Sequence, residues 1–245
     1  MQTFDKIDKN FLDTSRENRM HNKEIPAVYY AGQAHSRIII DGRLDEPDWE
    51  IARPIPFFAL VTNKAPASKT IAKILYDSSY LYLGFIAFDD DIRATFTERD
   101  SHTWREDVLE AFFKPLEHCQ AYYEFEFSPL GTIFDAEIPD KNHLPRILEC
   151  SKWNCDGLKV AATIDGTPNK PDDIDNLWTL EVAIPFAGLP VLGGRIPCPG
   201  DKWRFHLARY DYSIYLHRGR ELSSCAKFTV ANFHHQQDWS YLEFT

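Results

Sequence analysis

The stretch RDSHTWREDVLEAFF (99–113) concentrates residues able to do recognition chemistry. Trp104 stands in a polar run with no apolar neighbour within three residues, which is an odd place for a core side chain. Arg99, Asp100, Glu106 and Asp107 surround it, and six residues further on Glu110 is flanked by the apolar Leu109 and Ala111. A large flat ring beside charged, planar groups is what sugar recognition needs. The ring takes the C–H face of the pyranose, and the charged groups pair with hydroxyls that would cost free energy if buried alone.

Three further groupings have chemical potential. In YYEFEF (122–127), Glu124 and Glu126 are two residues apart and therefore share one strand face. Strand geometry separates such carboxyls by roughly 6–7 Å, near the spacing of the paired acids of glycoside hydrolysis. A glycoside hydrolase is thus the rival to a binding protein. The plainer reading is a solvated or ion-paired face, since Tyr123, Phe125 and Phe127 fill the other side and no second element offers an acid facing the pair. In FDDDI (88–92), Asp89, Asp90 and Asp91 are candidate oxygen ligands for a structural calcium ion, although the spaced Asp-x-Asp-x-Asp-Gly loop is absent. Finally, Arg209 and Tyr212 end the run HLARYDY (206–212) with Tyr210 between them, where they would flank the mouth of a fold. His234 and His235 have no acid or thiol at metal-ligand spacing and read as exposed. The five cysteines (119, 150, 155, 198 and 225) are odd in number, have no framework spacing and read as buried free thiols.

The elements that must position these residues are short. From Arg37 onward, apolar runs such as KTIAKILYD (69–77), SYLYLGFIAFDD (79–90) and LWTLEVAIP (177–185) alternate with turn clusters, the pattern of a sandwich or barrel. Trp178, Leu180, Val182 and Ile184 alternate cleanly with Thr179, Glu181 and Ala183. The expected fold is an all-β, antiparallel β-sandwich, jelly-roll-like, with one or two short helices. One helix is expected in DEPDWEIA (45–52), with Asp45 as N-cap and a proline in its first turn, and the other in PFAGL after Pro185. Residues 1–35 read as a polar N-terminal extension and 36–245 as a single sandwich domain.

Composition narrows the partners. Hydrophobic residues make up 44% and aromatics 14%, enough for a sizeable core built on flat side chains. With 27 basic against 37 acidic residues the net charge is −10, which argues against a nucleic-acid partner. No run approaches the roughly 18 apolar residues of a membrane span, and the polar N-terminus is not a signal peptide. As it stands the chain reads as cytoplasmic, or as secreted or periplasmic if an export signal was removed.

IDGRLDEPDWEIA (40–52) resembles the entry motif of the family 9 carbohydrate-binding modules and their relatives with a DOMON-like sandwich. Four later blocks resemble the family in the same order: LYDSSYLYLGFIAFDDDIRA, then RDSHTWREDVLEAFFKP with AYYEFEFSPLGTIFD, then DGLKVAATIDGTPNKPDDIDNLWTLEVAIPF, and GDKWRFHLARYDY. The likeness covers residues 36–245 and is closest to stand-alone members of the family. It implies non-catalytic binding of a sugar or oligosaccharide in carbohydrate catabolism, with Trp104 and Glu110 in the sugar-binding pattern and Arg99, Arg209 and Tyr212 beside it. The family's second stacking tryptophan has no clear counterpart here. The resemblance lends a precedent to calcium at Asp89–Asp91, and it makes Trp49 a plug over the open end of the sandwich. Related sandwiches hold a haem through Met and His, but Met1 and Met20, the two methionines, fall in the extension.

Overall fold

The computed structural model describes residues 26–245. Thirteen strands and two short α-helices account for their regular structure. β1 (Val28–Gln33), β2 (Ile55–Pro56) and β3 (Phe58–Ala59) come first, followed by the long hairpin of β4 (Thr70–Tyr76) and β5 (Tyr80–Phe88). A meander of β6 (Val108–Lys114), β7 (Tyr122–Phe127) and β8 (Ile133–Ile138) follows. β9 (Lys159–Asp165), β10 (Leu177–Pro185), β11 (Lys202–Tyr212), β12 (Arg220–Ser224) and β13 (Ser240–Phe244) complete the set.

The main path of pairing runs β8-β7-β6-β11-β13-β1-β4-β5-β10-β9 and folds over on itself. Phe113, Phe125, Phe205 and Leu207 of one half thereby meet Leu83, Phe85, Leu180 and Val182 of the other in one core. Alternation decides which residues enter it, because successive side chains point to opposite faces of a strand. Hence Trp178, Leu180, Val182 and Ile184 of β10 all lie in that core.

The sheet is mixed rather than purely antiparallel. β1 runs parallel to both β13 and β4. It bridges the two halves, and because neither partner is its neighbour in sequence, no hairpin dictates its direction. β1 also falls within the segment 1–35 that reads as an extension. Ala31 is fully buried and Tyr29 packs against the core, so the sheet begins at Val28. Residues 1–25, with Met1 and Met20, lie outside the described residues.

The helices depart from expectation in detail. α1 (Pro47–Ile51) has proline in its first turn, but Glu46 and not Asp45 precedes it, and Glu46 gives no side-chain cap. Its carboxylate accepts from the Ile39 amide instead, at 2.7 Å. The segment after Pro185 is a 3₁₀ turn at Phe186–Gly188. α2 (Ile147–Cys150), which no sequence pattern announced, follows a 3₁₀ stretch at Lys141–Arg146.

Trp49 is scaffold, though it covers the outer face of the β4–β5–β10 half and not an end. It is 1% exposed, clusters with Ile38, Leu75, Tyr82 and Ala183, and its indole donates to Glu181 Oε1 at 2.8 Å. Gly84 in β5 permits this approach, since a Cβ there would stand 2.1 Å from Leu44 and 3.1 Å from the indole. The outer face of the other half is covered differently. Phe112, Tyr122, Phe134 and Ala208 pack under Phe228, Phe233 and Trp239 of the loop between β12 and β13. This second apolar layer encloses the residues of interest.

Candidate functional site

Trp104 lies on a single 3₁₀ turn, Thr103–Arg105, just before β6. It is half-buried, its ring edge-on to Phe134 at 5.4 Å and tilted over His102 at 4.7 Å. Tyr212, at the end of β11, fixes the turn by donating its hydroxyl to the Trp104 carbonyl at 2.9 Å. Beside them opens a cleft of about 430 Å³ lined by Asp91, Arg93, Thr95, Arg105, Glu106, Asn169, Pro171 and Tyr212. Guanidinium, amide and carboxylate groups therefore face a space of ligand size.

Glu110 projects from β6 on the outer face of its sheet, where the alternation that buries Leu109 and Ala111 in the core must send it. Across the strand pair it stands opposite Glu126, and Glu124 is two residues along the same face. One carboxylate oxygen from each of the three lies within 4.8 Å of the others. The sequence reading of a solvated face is thus corrected: Glu110, Glu124 and Glu126 are 2%, 5% and 2% exposed. An acid does face the pair, and it comes from the neighbouring strand.

Burial is the first cause of their altered acidity. It raises Glu126 to about 8, against the Thr103 hydroxyl and the Trp104 backbone amide, which both favour the anion. Glu110 is held well above the usual range by burial, then by Glu126 and Glu124. Glu124 is raised by burial and by Glu126. Tyr210, half-buried on the same face, is raised by burial and by its proximity to Glu110 and Glu126.

The remaining residues singled out from sequence go elsewhere. Arg209 is 1% exposed and sits on the inner face, so it is not at a mouth. Its guanidinium bonds Asp89 at 2.9 Å and the Phe88 carbonyl at 2.8 Å, and it lies 3.4 Å from Asp211. Burial works against its charge, but Asp211, Asp89 and Asp107 outweigh that and raise it. Arg99 is committed to Asp135 at 2.6 Å.

Asp89, Asp90 and Asp91 do not converge. Asp89 joins Asp107 and Asp211 around Arg209, whereas Asp91 accepts from the Ile214 amide at 2.9 Å and Asp90 is exposed. The strand has ended at Phe88 and the chain bends at Asp90 and Asp91, so the three side chains are not held on one face. Asp89 is raised to about 6 by burial, which the Arg209 charge opposes and Asp211 reinforces.

His234 is not exposed either. Its ring meets Phe112 edge-on at 5.5 Å and Nδ1 lies 2.9 Å from the Tyr122 hydroxyl, while burial lowers it to about 4. The cysteines are all free, with Cys150, Cys155 and Cys225 buried, Cys119 half-buried and Cys198 exposed. Among the described residues no helix is long and apolar enough to cross a membrane.

Residues 40–239 match the family described as "Carbohydrate family 9 binding domain-like". No curated protein matches the chain. Among solved structures, a candidate carbohydrate-binding protein from Bacteroides uniformis aligns with a TM-score of 0.63 at 14% identity, covering 90% of this chain and 100% of that one. A family 9 carbohydrate-binding module from Caldicellulosiruptor kristjanssonii in complex with cellotriose aligns with a TM-score of 0.60 at 10% identity, covering 89% and 93%. Its complex with glucose gives 0.58 at 10% identity, covering 89% and 95%. At these identities the likeness is one of fold.

Proposed function

The chain belongs to the carbohydrate family 9 binding domain-like family, and we propose from that premise that it binds a sugar or oligosaccharide without transforming it. The observation that carries this reading is the half-exposed Trp104 beside a polar cleft of about 430 Å³. Trp104 is the stacking platform and Tyr212, which fixes it, forms part of the cleft wall. Arg105 supplies a planar hydrogen-bonding group for hydroxyls, beside Arg93, which lies 3.5 Å from Asp91, and Asn169, whose amide is held on both sides by the Ala94 backbone. Arg99 and Arg209 have no part in it, because neither lines the cleft and each is turned to a buried aspartate. Glu110 contributes from behind, through the group that includes Glu126, whose carboxylate the Trp104 amide and Thr103 hydroxyl hold.

Glycoside hydrolysis needs two carboxyl groups separated by about 5–5.5 Å or about 6.5–9.5 Å with the scissile bond between them. The glutamates at this site are at most 5% exposed, which does not suit a substrate reaching between them.

Calorimetric titration with glucose, cellotriose and a panel of other oligosaccharides tests the proposal. The expected result is saturable binding with no release of reducing sugar, weakened at least tenfold by Trp104→Ala. Binding that survives this substitution in the folded variant overturns the assignment of Trp104. Release of reducing sugar that Glu124→Gln abolishes overturns the non-catalytic reading.

A further inference from the structure

We propose that Glu110, Glu124 and Glu126 form a binding site for one hard divalent cation. The first support is their arrangement. Glu110 is directly opposite Glu126 across the β6–β7 pair, and like charges so placed destabilise a sheet. Glu124 brings a third carboxylate oxygen within 4.8 Å of one from each of the other two.

The second support is independent of that clustering. Glu110 Oε2 and Glu124 Oε2 are buried atoms without a hydrogen-bond partner, on side chains only 2% and 5% exposed. Buried polar atoms are nearly always satisfied; the orphaned oxygens of Asp211 have the Arg209 guanidinium 3.4 Å away, whereas these two face no cation and so mark a place where something else is bound. No basic side chain contributes to the electrostatic balance at any of the three.

The donor set specifies the class of ion. All three ligands are carboxylate oxygens, which suit calcium, magnesium or manganese and not the softer metals that prefer nitrogen and sulfur. On binding, the ion replaces whatever protons the carboxyls hold, and those protons pass to solvent.

The test uses the full chain, stripped with chelator and dialysed, in the absence of sugar. Calcium, magnesium and manganese chlorides are titrated separately by calorimetry, and the melting temperature is followed at millimolar ion. One saturable site per chain and a raised melting temperature are expected. Glu110→Gln and Glu124→Gln should each weaken binding at least tenfold, while Asp90→Asn, at an exposed acid outside the group, should leave it unchanged. Absence of both heat and a melting shift with all three ions overturns the proposal, as does undiminished affinity in both glutamine variants.

Should those variants fail to fold, terbium replaces calcium in the parent chain and is excited through tryptophan. Its emission should fall in Trp104→Phe, and unchanged emission in that variant places the ion elsewhere and overturns the site. Because no sugar is present, a negative result leaves the carbohydrate reading intact. A sugar titration in chelator tests that reading separately.

Discussion

Two groups of three buried carboxylates lie in this sandwich, one between its halves and one on the outer face of the half that holds β6 and β7, and the chain treats them differently. Asp89, Asp107 and Asp211 face the inner side and enclose Arg209, whose guanidinium is 2.9 Å from Asp89 and 3.4 Å from Asp211. Glu110, Glu124 and Glu126 face the outer side and have no such partner in their balance of charges. The inner group is further tied down by backbone. Asp107 accepts from the Arg93 and Tyr212 amides, both at 2.6 Å, and Asp89 accepts from the Trp178 indole at 3.3 Å. Each group leaves two oxygens without a hydrogen-bond partner, but those of Asp211 have the Arg209 guanidinium 3.4 Å away, whereas those of Glu110 and Glu124 have no cation in their balance of charges. A fold that supplies an internal cation has built a structural joint, whereas one that leaves the charges open has kept a place for a ligand.

The sharpest way to break that contrast is to remove the internal cation. Arg209→Met leaves the inner carboxylates buried without their counter-charge, and breaking such a pair costs about 3–5 kcal/mol. The expected result is a denaturation midpoint far below that of the parent chain, or failure to fold. Combining it with Asp89→Asn should recover part of the loss, because the remaining acids repel less. A loss under ~1 kcal/mol, within the range of surface substitutions, would mean that Arg209 is not the joint described here.

A smaller effect is expected at the edge of the outer group. Trp104→Ala removes the edge contact with Phe134 and the tilted stack on His102. Trp104 is half-buried, so the cost should be about 1–2 kcal/mol, between a surface change and a core cavity. A chemical denaturation curve measures it. A cost of about 3–5 kcal/mol, as for a buried aromatic, with sugar affinity unchanged would make Trp104 a core residue and detach the cleft from it.

Which parts of this were legible in the sequence follows from the range of the signals. Strand alternation is local, so β10 and the core face of β7 could be read directly, and so could the surface character of Trp104 in its polar turn. Register and topology are not local. Nothing in YYEFEF tells which strand pairs with it, so the meeting of Glu110 with Glu126 could not be seen, and the pair looked like a solvated face. Nor does HLARYDY reveal that Arg209 turns inward to Asp89, a residue 120 positions away. β1 was hidden for a related reason. Its six residues include one fully buried position, Ala31, too little for an alternation signal, and its place in the sheet is set by β13 and β4.

The smallest expected effect bears most directly on the difference between the two groups. In chelator, Glu124→Gln replaces one of the outer carboxyls with a neutral group of the same shape, removing an acid that must take up a proton to be buried, without creating a cavity. It should raise stability at neutral pH by about 0.2–1 kcal/mol, the scale of a cross-strand pair, whereas Asp89→Asn in the inner group should lower it by breaking the bond to Arg209. The pH dependence has a definite sign. Burial raises Glu126 from an ordinary 4.5 to about 8, and Glu110 and Glu124 are raised in the same direction. Between those values the folded chain holds protons that the unfolded chain has released, so stability falls as pH rises from about 4.5 through about 8. Glu124→Gln should make that decline shallower in a series of thermal melts, and calcium should oppose it by favouring the ionised carboxylates of the parent chain. If Glu124→Gln is instead destabilising in chelator and steepens the decline, the outer carboxylates hold the fold together as the inner ones do, and the two groups do not differ in kind.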